Sequence, residues 1–277
     1  MPDLLVHART HVEGAQIEAL AEKHGFRVKF SADTQIVTDW LRTRGFDVLL
    51  VHGQVPINVQ QDFAGRLWEK NAGAHFLVYD LSENSRINKH EVKLFGAELF
   101  KGPQALEQLD KFLGDLHPIA PPSQDDFQVM VVEDLDSPRD IICFFLEGMG
   151  YAHVKGEPSA KSAMQVLEQD PRAFSCVITD IRMPEISGKE LIEQIRKHDK
   201  LKHLPVIVLT AHGTADCLID CLKAGASGFL VKPPKKQDLT RELARAVRIS
   251  AGQSSPRLVT PDDAEYIRGV LADRGLL

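Results

Sequence analysis

Four places in this chain set chemically capable side chains directly after short apolar runs. Glu133 and Asp134 follow Gln128-Val-Met-Val-Val132, and Asp180 follows Cys176-Val-Ile-Thr179. Thr210 and Ala211 follow Val206-Ile-Val-Leu209, and Lys232 and Pro233 follow Gly228-Phe-Leu-Val231. If those runs are parallel strands, three carboxylates, a hydroxyl and a lysine meet at one sheet edge, the carboxyl edge where open α/β sheets bind ligands. Crowded carboxylates are costly to ionise together unless a cation joins them. Mg²⁺ suits such a place, because it takes a few carboxylates and completes its shell with water and phosphate oxygens. The expected ligands are Glu133 or Asp134, Asp180 and a backbone carbonyl near Arg182. Asp180 is then placed to act as a nucleophile and form an acyl phosphate. Lys232 would neutralise a phosphoryl oxygen as a compact charge, and Thr210 would hydrogen-bond the new group.

The elements that must position these residues alternate. From 127 to 251, strands are expected near Gln128–Val132, Ala152–Lys155, Cys176–Thr179, Val206–Leu209 and Gly228–Val231. Helices are expected at 138–149 (with Ile141, Phe145, Leu146 and Met149 as its apolar stripe), 159–169, 188–197, 214–224 and 236–248. Short apolar strands alternating with helices imply a parallel sheet covered on both faces. Residues 1–117 repeat the rhythm, with strands at Leu4–Val6, Arg27–Phe30, Asp47–Val51, His75–Tyr79 and Ala97–Phe100. Setting Gly25-Phe26 against Gly150-Tyr151 gives a repeat of about 125 residues, the size of a duplicated domain. Between the halves, 118–126 is rich in proline and polar residues and reads as a linker.

The motifs Val-Val-Glu133-Asp134, Ile-Thr-Asp180-Ile-Arg-Met-Pro184, Val-Leu-Thr210-Ala211 and Phe-Leu-Val-Lys232-Pro233, in that order, resemble the receiver (CheY-like) domain of bacterial two-component response regulators. The resemblance implies a flavodoxin-like (βα)5 fold of strand order 2-1-3-4-5. It also implies a sensor histidine kinase or phosphotransfer protein that phosphorylates Asp180, with Mg²⁺ on Glu133 and Asp134 and Lys232 on the phosphoryl group. Thr210 would move toward that group and an aromatic on the fifth strand, here Phe229, would rotate inward. Phe229 has no hydroxyl, so a tyrosine-like hydrogen-bonded lock is excluded. Arg182 and His212 stand two residues beyond Asp180 and Thr210. They either rim the phosphoryl group and gate water or are plain surface residues.

The first half keeps the shape and loses the chemistry. The alignment puts Ala8-Arg9 where Glu133-Asp134 stand and, with Pro56 on Pro184, His52 where Asp180 stands. The threonine position falls on Tyr79 or Asp80, and Lys101 is matched to Lys232. Without acceptor or acidic pair, this half resembles a degenerate receiver that serves in docking or dimerisation.

Composition bounds the rest. At 277 residues, 43% hydrophobic and with net charge -6, the chain has material for two cores and no basic bias for nucleic acid. Lys235, Lys236, Arg241, Arg245 and Arg248 are expected on a solvated helix face. No apolar run is long enough to span a membrane and no secretory signal opens the chain, so a cytoplasmic protein is expected. The four cysteines form no Cys-x-x-Cys pair and are expected to be reduced, mostly buried thiols. In 252–277, Thr260-Pro261-Asp262-Asp263 would start a short helix. It packs on a receiver or a partner, or opens an output domain. No enzymatic motif beyond the phosphoacceptor chemistry is present. The expected activity is therefore phosphorylation-dependent contact with a downstream protein or a second copy. The alternatives are the receiver portion of a protein with an enzymatic output, such as cyclic-dinucleotide synthesis, or a DNA-binding one, and a phosphorylation-independent scaffold.

Overall fold

A computed structural model describes residues 1–94, 96–116, 125–211, 215–252 and 268–269. The chain divides into two compact units, Met1–Ala120 and Pro121–Leu277. The expected linker falls mostly outside the described residues, as do His212 and the start of the C-terminal helix.

Unit one runs β1 (Asp3–His7), α1 (His11–Glu22), β2 (Arg27–Ser31), α2 (Thr34–Thr43), β3 (Val48–His52), α3 (Ile57–Lys70), β4 (His75–Asp80), α4 (Lys89–Leu94), β5 (Ala97–Lys101) and α5 (Ala105–Asp115). Its five strands are parallel in the order β2-β1-β3-β4-β5. β1, β3 and β4 are almost wholly apolar because both sheet faces are covered by helices. Leu4, Val6, Leu50, Leu77 and Tyr79 meet Ile17 and Ala21 of α1 and Leu109 and Leu113 of α5 in one core.

Unit two runs β6 (Val129–Val132), α6 (Asp136–Gly148), β7 (Val154–Glu157), α7 (Ala160–Gln169), β8 (Cys176–Asp180), α8 (Gly188–Lys197), β9 (Val206–Thr210), α9 (Ala215–Lys223), β10 (Gly228–Val231) and α10 (Lys236–Ser250). The order β7-β6-β8-β9-β10 is again 2-1-3-4-5, so both halves are flavodoxin-like α/β sheets. Ser159 and Ser187 start α7 and α8 by accepting hydrogen bonds from backbone N–H groups of the first turn, and Ser187 with Glu190 completes a reciprocal capping box.

Three expectations need correction. The second strand of this unit lies at Val154–Glu157, about two residues beyond its expected place. In α6 the core-facing pair is Ile142 and Leu146, whereas Ile141, Phe144 and Phe145 face outward. The helix is apolar most of the way round, so spacing alone does not choose its inner face. In α10 the expected solvated basic face holds for Lys235 and Lys236, which are exposed, and fails for Arg245 and Arg248, which are among the most deeply buried side chains of the chain. Glu242, itself buried, makes the burial of Arg245 tolerable. It accepts from Arg241 Nε at 2.8 Å and lies 3.7 Å from Arg245 Nε, and buried charges persist only when paired. All four cysteines are free thiols; Cys176 and Cys221 are buried, and Cys143 and Cys217 are half-buried. Burial pushes the Cys221 thiol up to about 12, aided by Cys217 one turn earlier. Among the described residues no helix is long and apolar enough to cross a membrane.

Candidate functional site

Parallel register brings four strand ends of unit two to one edge. Val132 pairs with Thr179, Asp180 with Leu209 and Thr210 with Val231. Glu133, Asp180 and Thr210 are thereby buried together at the sheet's rim, with Asp134 half-buried beside them. One carboxylate oxygen each from Glu133, Asp134 and Asp180 lie within 4.8 Å of one another, the one such cluster among the described residues. Three carboxylates at that spacing fit a hard divalent cation.

Lys232 arrives from beyond β10. Its N–H donates to the Thr210 carbonyl at 2.8 Å, which fixes the backbone. Its Nζ donates to Glu133 Oε2 and lies 3.0 Å from Asp180 Oδ1. Burial alone would lower the Lys232 ammonium below its ordinary value; hydrogen bonds and charge from Glu133 and Asp180 outweigh that and raise it. The lysine is therefore a permanent cation spanning two of the three acids. Thr210 closes the end of β9. Phe229 is half-buried on β10, opposite Val208, and the Arg182 side chain is exposed. Glu133, Asp134, Asp180, Thr210 and Lys232 thus meet at this edge, whereas Phe229 stands two residues before the end of β10.

Two residues that sequence reasoning left without a role shape the edge. Gly188 opens α8 and its N–H donates to the Ile181 carbonyl at 3.0 Å. A Cβ there would lie 2.1 Å from the Asp180 carbonyl oxygen, so only glycine permits the approach. The spacing Pro184-x-x-x-Gly188 carried that signal, though it reads equally as a plain helix start. Arg139 of α6 donates from Nη1 to the Glu133 carbonyl at 2.9 Å and bridges to Asp136. Nothing in the sequence marks that brace.

The same edge of unit one can be matched bond for bond. Ala8 N–H donates to the Ser31 carbonyl as Glu133 N–H does to Glu157, and Gly53 N–H to Tyr79 as Ile181 N–H does to Leu209. Ala8, Arg9 and His52 therefore stand where Glu133, Asp134 and Asp180 stand, and Asp80, not Tyr79, takes the threonine place. Gly102 N–H donates to the Asp80 carbonyl as Lys232 N–H does to Thr210. So Gly102, followed by Pro103, occupies the place of Lys232. The match of Lys101 to Lys232 is off by one residue: Lys101 pairs across the ladder with Asp80, and its Nζ donates to the Ile87 carbonyl at 3.0 Å.

A doubly wound sheet of order 2-1-3-4-5 with an acidic, lysine-bridged carboxyl edge defines a class of signalling domain, and comparison with known proteins agrees. The model of the response regulator receiver domain matches residues 129–244. The two-component response regulator ORR11 of Oryza sativa subsp. indica is 33% identical over 119 residues, 43% of this chain and 80% of that protein. The chemotaxis protein CheY of Pseudomonas aeruginosa is 30% identical over 118 residues, 43% of this chain and 94% of that protein. A two-component response regulator-like protein of Arabidopsis thaliana, APRR3, is 36% identical over 112 residues, and the chain spans only 22% of its length. Among solved structures, a response regulator receiver domain protein from Clostridium thermocellum is 31% identical, covers 44% of this chain and 94% of that one, and has a TM-score of 0.41. The chain belongs to the response regulator receiver family.

Proposed function

We propose that unit two accepts one phosphoryl group on Asp180 from a sensor histidine kinase or phosphotransfer protein and signals by a phosphorylation-dependent protein contact. The observation that carries this reading is the convergence of Glu133, Asp134 and Asp180, with Lys232 bridging two of them. A carboxylate oxygen of Asp180 attacks phosphorus, the bond from phosphorus to the donor nitrogen breaks, and an acyl phosphate forms. Glu133, Asp134, Asp180 and the Arg182 backbone carbonyl would hold Mg²⁺, which supplies positive charge against the phosphoryl oxygens. Lys232 holds Asp180 at the edge and offers its ammonium to a phosphoryl oxygen. The Thr210 hydroxyl donates to the same group, and its shift opens room for Phe229 on the neighbouring strand. Unit two alone turns over no separate substrate.

An apolar face on α6, made by Leu135, Ile141, Phe144 and Phe145, begins beside Asp134. Phe144 is 75% exposed. Such a patch suits a phosphodonor that must reach Asp180. Unit one, with Ala8, Arg9, His52 and Gly102 at the matching places, is a degenerate receiver that takes no phosphoryl group and serves in docking or dimerisation of this cytoplasmic regulator. The test is acetyl phosphate with Mg²⁺ on the full chain, read by intact mass. One phosphoryl group per chain is expected, lost in Asp180→Asn. Labelling that survives that substitution would refute the assignment.

A further inference from the structure

Unit one carries a pocket where the matching edge of unit two carries the acidic cluster. Its volume is about 180 Å³, and Arg9, Glu13, His52, Tyr79, Asp80 and Ser82 are among its lining residues. An apolar cavity of about 150 Å³ holds a benzene-sized molecule, so this one has room for a small organic ligand.

Charges of both signs line it. Arg9 ends the β1 side, and its guanidinium makes no ion pair or side-chain hydrogen bond among the described residues, although its charge acts on His52, Tyr79 and Asp80. Two carboxylates, Glu13 and Asp80, line the same pocket, each held in place but not saturated. Glu13 Oε2 accepts from the Tyr79 hydroxyl at 3.2 Å, and that hydroxyl in turn accepts from the Arg9 N–H at 3.3 Å. Asp80 Oδ1 accepts from the Ser82 N–H at 3.0 Å, and the Ser82 and Ser85 side chains also donate to this carboxylate. A carboxylate offers about four acceptor sites, so both keep capacity for a further donor. His52 Nδ1 is buried without a hydrogen-bond partner, and the His52 imidazole is neutral at ordinary pH because burial, with His7 and Arg9 nearby, lowers it to about 4.

A simple anion would meet Arg9 but also two carboxylates. A divalent cation would meet Arg9, and Glu13, Asp80 and His52 do not converge as the acids of unit two do. A guanidinium without an ion pair and carboxylates with acceptor capacity to spare, in one pocket, match a molecule carrying both signs of charge. We infer that this pocket binds a small organic zwitterion, with a carboxylate on Arg9 and an ammonium on Asp80 and Glu13. The inference is independent of Asp180 and its phosphorylation.

The test uses the full chain, uniformly ¹⁵N-labelled, titrated with glycine, β-alanine and 4-aminobutyrate, and with acetate and methylammonium as half-ligands. At least one ω-amino acid should shift the Gly53 and Ser82 amides with an affinity at least about tenfold above either half-ligand, a difference of roughly 1.4 kcal/mol. Arg9→Ala and Asp80→Asn should each weaken it at least tenfold while the β1, β3 and β4 amide signals keep their dispersion. Saturation by acetate as tight as by the amino acids, no saturable shift with any probe, or binding unchanged in Arg9→Ala would overturn the inference.

Discussion

The two halves of this chain share strand order and backbone hydrogen bonds yet differ in charge at the same edge, acidic in unit two and balanced in unit one. In unit two the edge holds Glu133, Asp134 and Asp180 with Lys232 across two of them. In unit one the corresponding places hold Ala8, Arg9, His52 and Gly102, and Asp80 replaces the threonine. The covering loops differ as well. In unit one α3 begins at Ile57, directly after Pro56, whereas in unit two three residues separate Pro184 from α8, and Glu185 within them has a φ of 63°. The lesson is that a doubly wound sheet is maintained by its buried strands, while the carboxyl edge changes freely because its side chains contribute little to the core.

The strongest way to break this contrast is to give unit one an acceptor. His52→Asp in an Asp180→Asn background should remain unlabelled by acetyl phosphate, at least about a hundredfold below wild type, because no acid stands at Ala8 or Arg9 and no lysine at Gly102. A labelled product would show that the nucleophile alone suffices.

Next in size is the last helix of each unit. α5 buries one stripe, Ala105, Leu109 and Leu113, whereas α10 buries residues nearly all round, charges included. Glu242→Ala removes the buried carboxylate beside the Arg241 and Arg245 guanidinium groups and should cost about 3–5 kcal/mol. Lys111→Ala on the exposed side of α5 should stay within about 0.5 kcal/mol. Urea unfolding followed by far-UV circular dichroism measures both.

A smaller loss is expected at Gly188. Gly188→Ala forces the Asp180 carbonyl and the start of α8 apart and should cost about 1–3 kcal/mol by overpacking. It should also slow phosphoryl uptake, which a time course with acetyl phosphate would reveal.

The smallest effect is one of pH, and it belongs to unit one. Burial lowers His7 and His52, the latter to about 4; His7 and Arg9 add to the depression of His52 and Asp80 opposes it, while a backbone hydrogen bond and Asp33 oppose it at His7. The unfolded chain then takes up protons near pH 6.5 that the folded chain refuses, so stability is full above about 6.5 and falls as the pH drops toward 4. Both tryptophans, Trp40 and Trp68, lie in unit one and report on it alone. The midpoint of urea unfolding by tryptophan fluorescence should be lower at pH 5 than at pH 7.5, and less so in His52→Gln.

Much of this was legible in the sequence. Alternation of apolar runs with helical spacing located all ten strands and both sheets, and the residues just beyond the strands of unit two lie together as expected. What escaped was what depends on exact register or on neighbours distant in sequence. Phe-Lys101-Gly-Pro and Leu-Val-Lys232-Pro look alike by their lysines, but the ladder aligns them by their prolines. Ile141 and Phe145 fit a helical stripe as well as Ile142 and Leu146 do, because α6 is apolar on both sides. Arg245 and Arg248 look solvated until the packing that surrounds α10 is known.

Gly188 has a meaning for sequence drift. The Asp180 carbonyl oxygen stands where every other amino acid carries its first side-chain carbon. In a saturation library at that codon, charged, polar and apolar replacements would share a single defect, and the row would be uniformly depleted. The row for Thr210 would instead be graded, with serine near wild type. A uniform row beside a graded one separates, without any measurement of phosphate, the residue that makes space for the edge from one that works on it.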